Sequence, residues 1–173
     1  MKCRNINVGL RMYLEQAQHN PVAAYNAALL LENEHMGQAI AQQFYVRAAR
    51  GGYVPAMWKV AGLFITGQYV NNREDSILRS YTQDLSQGFD WIRTAAKTGD
   101  STANYLLARC YWDGIGVEQN RSSALYFLEQ VTFPEIPMNP YELTEVLVFG
   151  SVSADLKNNA VRIQKKNSLT TAV

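Results

Sequence analysis

The sequence predicts an all-α protein, an α-solenoid of stacked antiparallel helix pairs with capping helices at its two ends. Two observations lead to this prediction. Stretches of the chain recur at a constant spacing, which is typical of proteins built from stacked units. Within each copy, apolar residues recur every three or four positions, which is the period of an amphipathic helix. Each unit is therefore expected to be a pair of helices that buries its apolar faces against its neighbours.

The repetition is clearest in the middle of the chain. The segment Ala48–Gly52 recurs 47 residues later as Ala95–Gly99. A shared offset predicts three repeats, over about residues 20–52, 53–99 and 100–131, within one helical domain that spans residues 1–166. The same offset relates Phe44 to Trp91, Ala56 to Ala103, Trp58 to Tyr105, Ala61 to Ala108, Phe64 to Tyr111, Gly67 to Gly114 and Val70 to Val117.

The N-terminal part of the sequence predicts a lone helix followed by one full repeat. Residues Gly9–Gln18 resemble the second helix of a repeat. Asn20 and Pro21 then fit a helix start, because Asn accepts hydrogen bonds from the free N–H groups of the first turn and Pro has no N–H to leave unpaired. The helices of the first repeat are predicted over Pro21–Glu32 and Gln38–Arg50.

The second and third repeats follow the same plan. The second is predicted to have helices at Pro55–Ile65 and Gly88–Lys97. In the third, an apolar stripe ends at Gly114, which fits a left-handed C-terminal cap, and a second stripe follows. Cys110 lies in the first stripe and is expected to be a small buried side chain. The two stripes consist of Ala103, Leu106, Leu107, Cys110 and Tyr111, and of Ala124, Phe127, Leu128 and Val131.

The middle repeat carries an insert of about 11 residues within the stretch 71–87. Its sequence fits either a longer connecting loop or an extension of the second helix. Loops that one repeat alone possesses are common places for specific contacts. Three residues of the insert are therefore candidates for a second site that sets partner specificity: Arg73, Glu74 and Tyr81.

After Thr132 the repeat pattern is broken by three prolines, which interrupt helices. Two further helices are predicted, over Tyr141–Phe149 and Ser153–Lys166, and they form a C-terminal cap within residues 134–166. Residues 167–173 are predicted to be a disordered tail. The prolines are Pro134, Pro137 and Pro140, and the last helix is expected to turn Leu156, Ala160 and Ile163 inward.

The third repeat resembles the Sel-one-like repeat, a relative of the tetratricopeptide repeat, and the end of the second repeat matches the second helix of that family. The resemblance implies an α-solenoid whose members are adaptors and scaffolds for protein complexes, many of them bacterial. Ala61 and Ala108 depart from the pattern, since the family usually has glycine there. The residues that carry the resemblance are Trp91, Ala95, Ala96 and Gly99, and Ala103, Tyr105, Leu107, Ala108, Tyr111, Gly114, Gly116 and Val117.

Composition excludes several classes of function. Lys and Arg number 16 and Asp and Glu 15, for a net charge of +1, and no basic stripe indicates a nucleic-acid partner. No run approaches the roughly 20 apolar residues of a membrane span, and the start of the chain lacks the apolar segment of a cleaved signal. The two cysteines form no CxxC pair, which fits a reducing compartment. We therefore expect a cytoplasmic protein that binds neither nucleic acid nor membranes.

No constellation of residues predicts catalysis, a metal ion or a cofactor. His19 and His35 are the two histidines, and without nearby cysteines or a third ligand they make a poor zinc site. Gly114 and Gly116 close a helix, whereas the glycines of phosphate-binding loops follow a strand and open a helix. Carboxylates at predicted helix ends are expected to be solvated or capping, namely Glu32, Glu34, Asp113 and Glu118. An enzyme is therefore a remote alternative.

Binding has a better candidate in the first helices of the repeats, which line the concave face of a helical stack. By the resemblance to tetratricopeptide repeats, Tyr25, Trp58 and Tyr105 hold one equivalent position that points into this groove. Such rings also fit packing against a neighbouring helix, and both arrangements remain open. With the residues beside them, the predicted partner-binding set is Tyr25, Leu29, Trp58, Thr66, Thr102, Tyr105, Arg109 and Trp112.

These features predict a non-catalytic adaptor, scaffold or regulator that holds another protein in its groove, such as a component of secretion or signalling. A narrower alternative comes from the family resemblance: small bacterial repeat proteins of this kind act as immunity proteins that neutralise a toxin. The ends of a short helical stack also leave pairing between two copies of the chain open.

Overall fold

The computed structural model describes residues 2–33, 37–71, 80–131, 158–159 and 162–163. The helices predicted for the three repeats are confirmed within this part of the chain, and the second helix of the middle repeat begins at Leu85 rather than Gly88. The elements are α1 (Lys2–Gln16), α2 (Pro21–Asn33), α3 (Gln38–Arg50), α4 (Val54–Ile65), β1 (Tyr69–Asn71), β2 (Ser80–Thr82), α5 (Leu85–Ala96), α6 (Ser101–Asp113) and α7 (Arg121–Glu129).

Polar caps determine where most of these helices begin. Asn20 Oδ1 accepts hydrogen bonds from the backbone N–H groups of Val22 and Ala23, at 2.9 and 3.3 Å, as predicted from the Asn-Pro pair. Asp84, Asp100 and Asn120 cap α5, α6 and α7 in the same way. At the other end of α6, Gly114 adopts the left-handed conformation predicted for it, with φ of 74°.

The first compact unit extends over Met1–Gln83. In it, α1 packs on α2, α2 on α3 and α3 on α4. Helix α2 lies between two neighbours, and its middle is built of small side chains that let both approach closely. Tyr45 of α3 is the largest side chain in the core of this unit and is 1% exposed. The small buried residues of α2 are Ala23, Ala24, Ala27 and Ala28.

The described ends of the insert form a short antiparallel hairpin, in which Tyr69 pairs with Thr82 and Asn71 with Ser80. Of the two conformations that the sequence favours, a longer loop or an extension of the second helix, the extension is found at residues 85–87, and the described residues 71 and 80–82 are strand. Two side-chain amides fix the base of the hairpin: Gln42 donates to the carbonyl of Gln68 at 2.7 Å, and Gln83 donates to the carbonyl of Ile65 at 2.8 Å. Strand β1 also packs against α3 and α4.

The second compact unit begins at Asp84, so the boundary between the two units falls within the sequence of the second repeat. Here α5 and α7 both pack on α6, which is buried continuously from Ala103 to Cys110. The turn after α6 lies against the start of α5. A Cβ atom on Gly116 would come within 2.0 Å of the Leu85 carbonyl oxygen, so glycine permits this approach.

Most of the predicted C-terminal cap, including the helix at 141–149, and the tail at 167–173 lie outside the described residues. Within the described part, residues 158–159 and 162–163 are helical. Ile163, which was expected to face inward, is partly buried against a core formed by α6 and α7.

Candidate protein-binding surface

Helices α2 and α4 place a group of aromatic and charged side chains side by side on the first unit. We call this group the α2–α4 surface. It contains two residues predicted from the sequence, Tyr25 and Trp58, and three that were not, namely Glu32, Tyr53 and Lys59. All five are partly buried.

The carboxylate of Glu32 ties three helices together. Its Oε2 accepts a hydrogen bond from the Tyr45 hydroxyl at 2.6 Å, and its Oε1 lies 3.0 Å from Lys59 Nζ. The same ammonium group lies 5.5 Å from the centre of the Tyr45 ring. Burial, and secondly the hydrogen bond to Glu32, raise the pKa of Tyr45 well above its ordinary value, so this hydroxyl stays a donor throughout the physiological range.

The ring of Tyr25 joins this charged pair to the start of α4. It lies 5.5 Å from the ring of Tyr45 and 5.1 Å from the ring of Tyr53, the latter edge-on. Burial raises the pKa of Tyr25, and the neighbouring Tyr53 and Glu32 raise it further. Contacting aromatic pairs of this kind contribute about 0.5–1.5 kcal/mol each, which anchors the partly buried ring of Tyr25.

Trp58 lies one residue before Lys59 on α4. Its indole N–H is buried and has no hydrogen-bond partner within the described part of the chain. A buried donor without an acceptor costs about 1–3 kcal/mol, and such groups in native proteins call for an explanation. Leu29 of α2 is partly buried, and Thr66 is exposed and donates its hydroxyl to the Gly62 carbonyl at 2.7 Å.

In the second unit, the predicted binding residues of α6 are covered. Tyr105, Arg109 and Trp112 are 7%, 3% and 6% exposed, and Thr102 is partly buried. Tyr105 and Trp112 belong to a core cluster with α7, and Ile163 packs against that cluster. Arg109 Nε lies 3.0 Å from an Asp113 carboxylate oxygen. Of the two arrangements left open for the aromatic position, Tyr105 therefore adopts core packing.

Arg121, at the start of α7, is exposed and lies over the ring of Trp112. Its guanidinium carbon lies 4.5 Å from the centre of the Trp112 ring, which is the geometry of a cation–π contact. A second group of aromatic contacts is centred on Tyr111, whose ring lies edge-on to Phe89 at 5.5 Å and stacks on Phe127 at 5.7 Å. These contacts hold α5, α6 and α7 together.

Of the three candidates in the insert, Arg73 and Glu74 lie outside the described residues. Tyr81 lies on β2, where it pairs with Val70. Their role as a second specificity site stays a prediction.

The described residues offer few groups that could bind a metal ion or act as a nucleophile. They contain no group of three or more His, Cys, Asp or Glu residues placed to hold a metal ion. Cys110 is fully buried, and burial raises the pKa of its thiol to about 12, which keeps it protonated and unreactive near neutral pH. No described helix is long and apolar enough to cross a membrane.

Part of the sequence matches the model of a known repeat family. The family model of the Sel1 repeat matches residues 78–100 and 101–130, which include α5, α6 and α7. Residues 78–130 thus carry two Sel1 repeats. No curated protein matches the chain.

Solved structures extend the likeness beyond those two repeats. A Sel1 repeat protein from Oxalobacter formigenes is 25% identical, with a TM-score of 0.59 over 70% of this chain and 86% of that one. The protective antigen c5321 of uropathogenic Escherichia coli, which displays the same repeat fold, is 20% identical with a TM-score of 0.56. This chain matches it over 91% of its own length but spans only 32% of the antigen. The predicted α-solenoid class is thus confirmed.

Repetition within the sequence identifies part of the α2–α4 surface and misses the rest. Tyr25 and Trp58 hold a repeat position and could be found by alignment of the repeats. Glu32 was assigned to solvation at a helix end, whereas it pairs with Lys59 across two helices. The spacing of seven residues from Tyr25 to Glu32, which puts both on one stripe of α2, was a usable signal. Nothing in the spacing of Lys59 or Tyr53 indicated their partners.

Proposed function

We propose that this protein is a non-catalytic adaptor or regulator that holds a protein partner on the α2–α4 surface. Sel1 repeats typically mediate interactions between proteins, which supports the general role. The observation that favours this surface is its composition: partly buried Tyr and Trp rings lie around an ion pair whose two side chains are each 37% exposed. Tyr, Trp and Arg are the residue types most often found as anchors of protein interfaces.

The exposure of the side chains explains why the α2–α4 surface, rather than the predicted binding face of α6, is the proposed site. Binding residues need a face that a partner can reach. In the ion pair, the side chains of Lys59 and Glu32 are both 37% exposed, whereas Tyr105, Arg109 and Trp112 of the second unit are almost fully covered. The proposal therefore keeps Tyr25, Leu29, Trp58 and Thr66 as partner contacts, adds Lys59 and Tyr53, and gives the α6 residues a packing role.

Pre-organisation supports the same proposal. Lys and Tyr side chains lose conformational entropy when an interface immobilises them, at about 0.5–1.5 kcal/mol per side chain. In the free protein, the ion pair with Glu32 already holds Lys59 in place, and the ring contacts with Tyr45 and Tyr53 already hold Tyr25.

The test is a comparison of variants of the tagged protein in pull-downs from the native host, quantified by mass spectrometry. Trp58→Ala and Lys59→Ala should each reduce recovery of the specific partner, by about 10-fold or more if these residues are binding anchors. Arg93→Ala is the matched control, because it removes an exposed ion pair on α5, a helix that contributes no residue to the α2–α4 surface. Circular dichroism and thermal melting of each variant separate lost binding from lost folding.

Two results would contradict the proposal. One is equal recovery of the partner by both variants and wild type. The other is a loss of recovery by Arg93→Ala as large as that by Lys59→Ala. An immunity role is the narrower form of the same proposal, in which the partner is a toxin, and a toxin-like reading frame beside the gene would favour it.

A further inference from the structure

Helix α1 carries apolar side chains on the side that faces away from the rest of the first unit. Leu10 of α1 and Ala17, the residue after its end, are buried, at 8% and 2% exposure, and α1 packs on α2. Val8 and Met12 are 57% and 56% exposed. They are four residues apart, so they form one stripe on the opposite side of the helix.

Among the described residues, nine large apolar side chains are exposed, and four of them lie on α1. Val8 and Met12 form the outer stripe, while Tyr13 and Leu14, at 36% and 37% exposure, lie beside the buried Leu10 on the inner side. The solvent face of an amphipathic helix is ordinarily polar. Apolar residues on an outer face indicate an interaction site.

Charges beside the stripe indicate what covers it. Arg11 and Glu15 form an exposed ion pair at 3.2 Å, and both lie on the same side of α1 as Val8 and Met12. In an antiparallel pair of α1 helices with a two-fold axis near Met12, Arg11 of one copy lies about 3 Å along the axis from the level of Glu15 of the other. The reverse contact forms by symmetry, so the face is complementary to itself.

We propose that α1 pairs with α1 of a second copy of this chain, in an antiparallel two-fold arrangement centred near Met12. Met12 then packs on its own symmetry mate, and the Arg11 and Glu15 side chains exchange partners between copies. A helix of 15 residues is only about 22 Å long, so the buried area falls below that of permanent dimers. The dimer is therefore weak and concentration-dependent.

Sedimentation equilibrium of the full chain, from about 1 to 300 μM, tests this proposal. Wild type should associate to a dimer within that range, and Met12→Glu should weaken association at least 10-fold, because two carboxylates would meet at the axis. Ile40→Glu is the control: it adds the same charge at a side chain of 48% exposure on α3 and should leave association unchanged.

A charge exchange distinguishes this dimer from other self-association. Arg11→Glu alone should weaken it, since the introduced carboxylate would then oppose Glu15 of the other copy, and Arg11→Glu with Glu15→Arg should restore it. A wild type that stays monomeric, an equal effect of Ile40→Glu, or no restoration by the double variant would overturn the proposal. Partner binding at the α2–α4 surface does not involve these residues, so each proposal can fail without the other.

Discussion

At Gly116 a single missing methyl group decides how closely the turn after α6 approaches α5. Its φ is 70°, a region that L-residues with side chains rarely adopt, and an added Cβ would lie 2.0 Å from the Leu85 carbonyl oxygen and 2.8 Å from Phe89 Cβ. The backbone at Leu85 cannot move without displacing the start of α5. Gly99 has a similar φ of 82° but nothing within 4 Å of its added Cβ.

These two glycines give a matched pair of substitutions. Gly99→Ala should lower the free energy of unfolding by about 1 kcal/mol, from backbone strain alone. Gly116→Ala carries the same strain and a clash with backbone, and should lower it by about 3 kcal/mol or more. Urea denaturation followed by circular dichroism measures both. If both variants lost the same free energy of unfolding, the turn after α6 would be able to shift and accommodate a methyl group at position 116, contrary to this account.

At the scale of elements, side-chain caps define the helix starts more sharply than helix propensity does. The Asp100 carboxylate accepts from the backbone N–H of Ala103 at 2.7 Å, and its charge lies at the positive end of α6. Since α6 packs on both α5 and α7, fraying of its first turn affects the whole second unit.

Replacement of this cap should therefore have a measurable effect on stability. Asp100→Ala is expected to lower the free energy of unfolding of the second unit by about 1 kcal/mol, whereas Asp100→Asn keeps the accepting oxygen and should lose only a few tenths. Asp90→Ala, which breaks an exposed ion pair within α5, is the control and should change stability by less than about 0.5 kcal/mol. If the two alanine variants behaved alike, general charge rather than capping would be responsible.

Features that depend on residues close together in the chain could be predicted from the sequence, whereas features that depend on contacts between distant residues could not. The Asn20 cap, the Gly114 turn and the burial of Cys110 each follow from residues within one helix or its ends. The β1–β2 hairpin depends on pairing across the insert and on the amides of Gln42 and Gln83, which lie outside its strands. No other repeat contains such an insert, so repetition could not reveal it.

The same division applies to the binding surface. Alignment of repeats groups Tyr25, Trp58 and Tyr105 as equivalent, but equivalence does not determine exposure. Tyr105 is buried in a core cluster with α7, and Ile163 packs against that cluster, whereas the ring of Tyr25 is only partly buried. The environment of a repeated residue therefore depends on the neighbours of its own repeat, which the residue type alone does not indicate.

At the scale of the whole molecule, the chain consists of two compact units, and the proposed partner site belongs to the first. The Sel1 family model matches mainly the second unit, where helix packing is regular and the aromatic residues lie in contact with one another. On the proposed assignment the first unit provides the contact surface, while the matched Sel1 repeats lie mainly in the second unit.

Hydrogen exchange of the free protein and of its purified complex, followed by mass spectrometry, locates the partner on these units. Exchange in the complex should slow in α2 and at Tyr53–Thr66, and remain unchanged along the exposed side of α5 and in α7. Protection confined to α6, α7 or the insert, with none in α2 or α4, would contradict the assignment of the α2–α4 surface as the binding site.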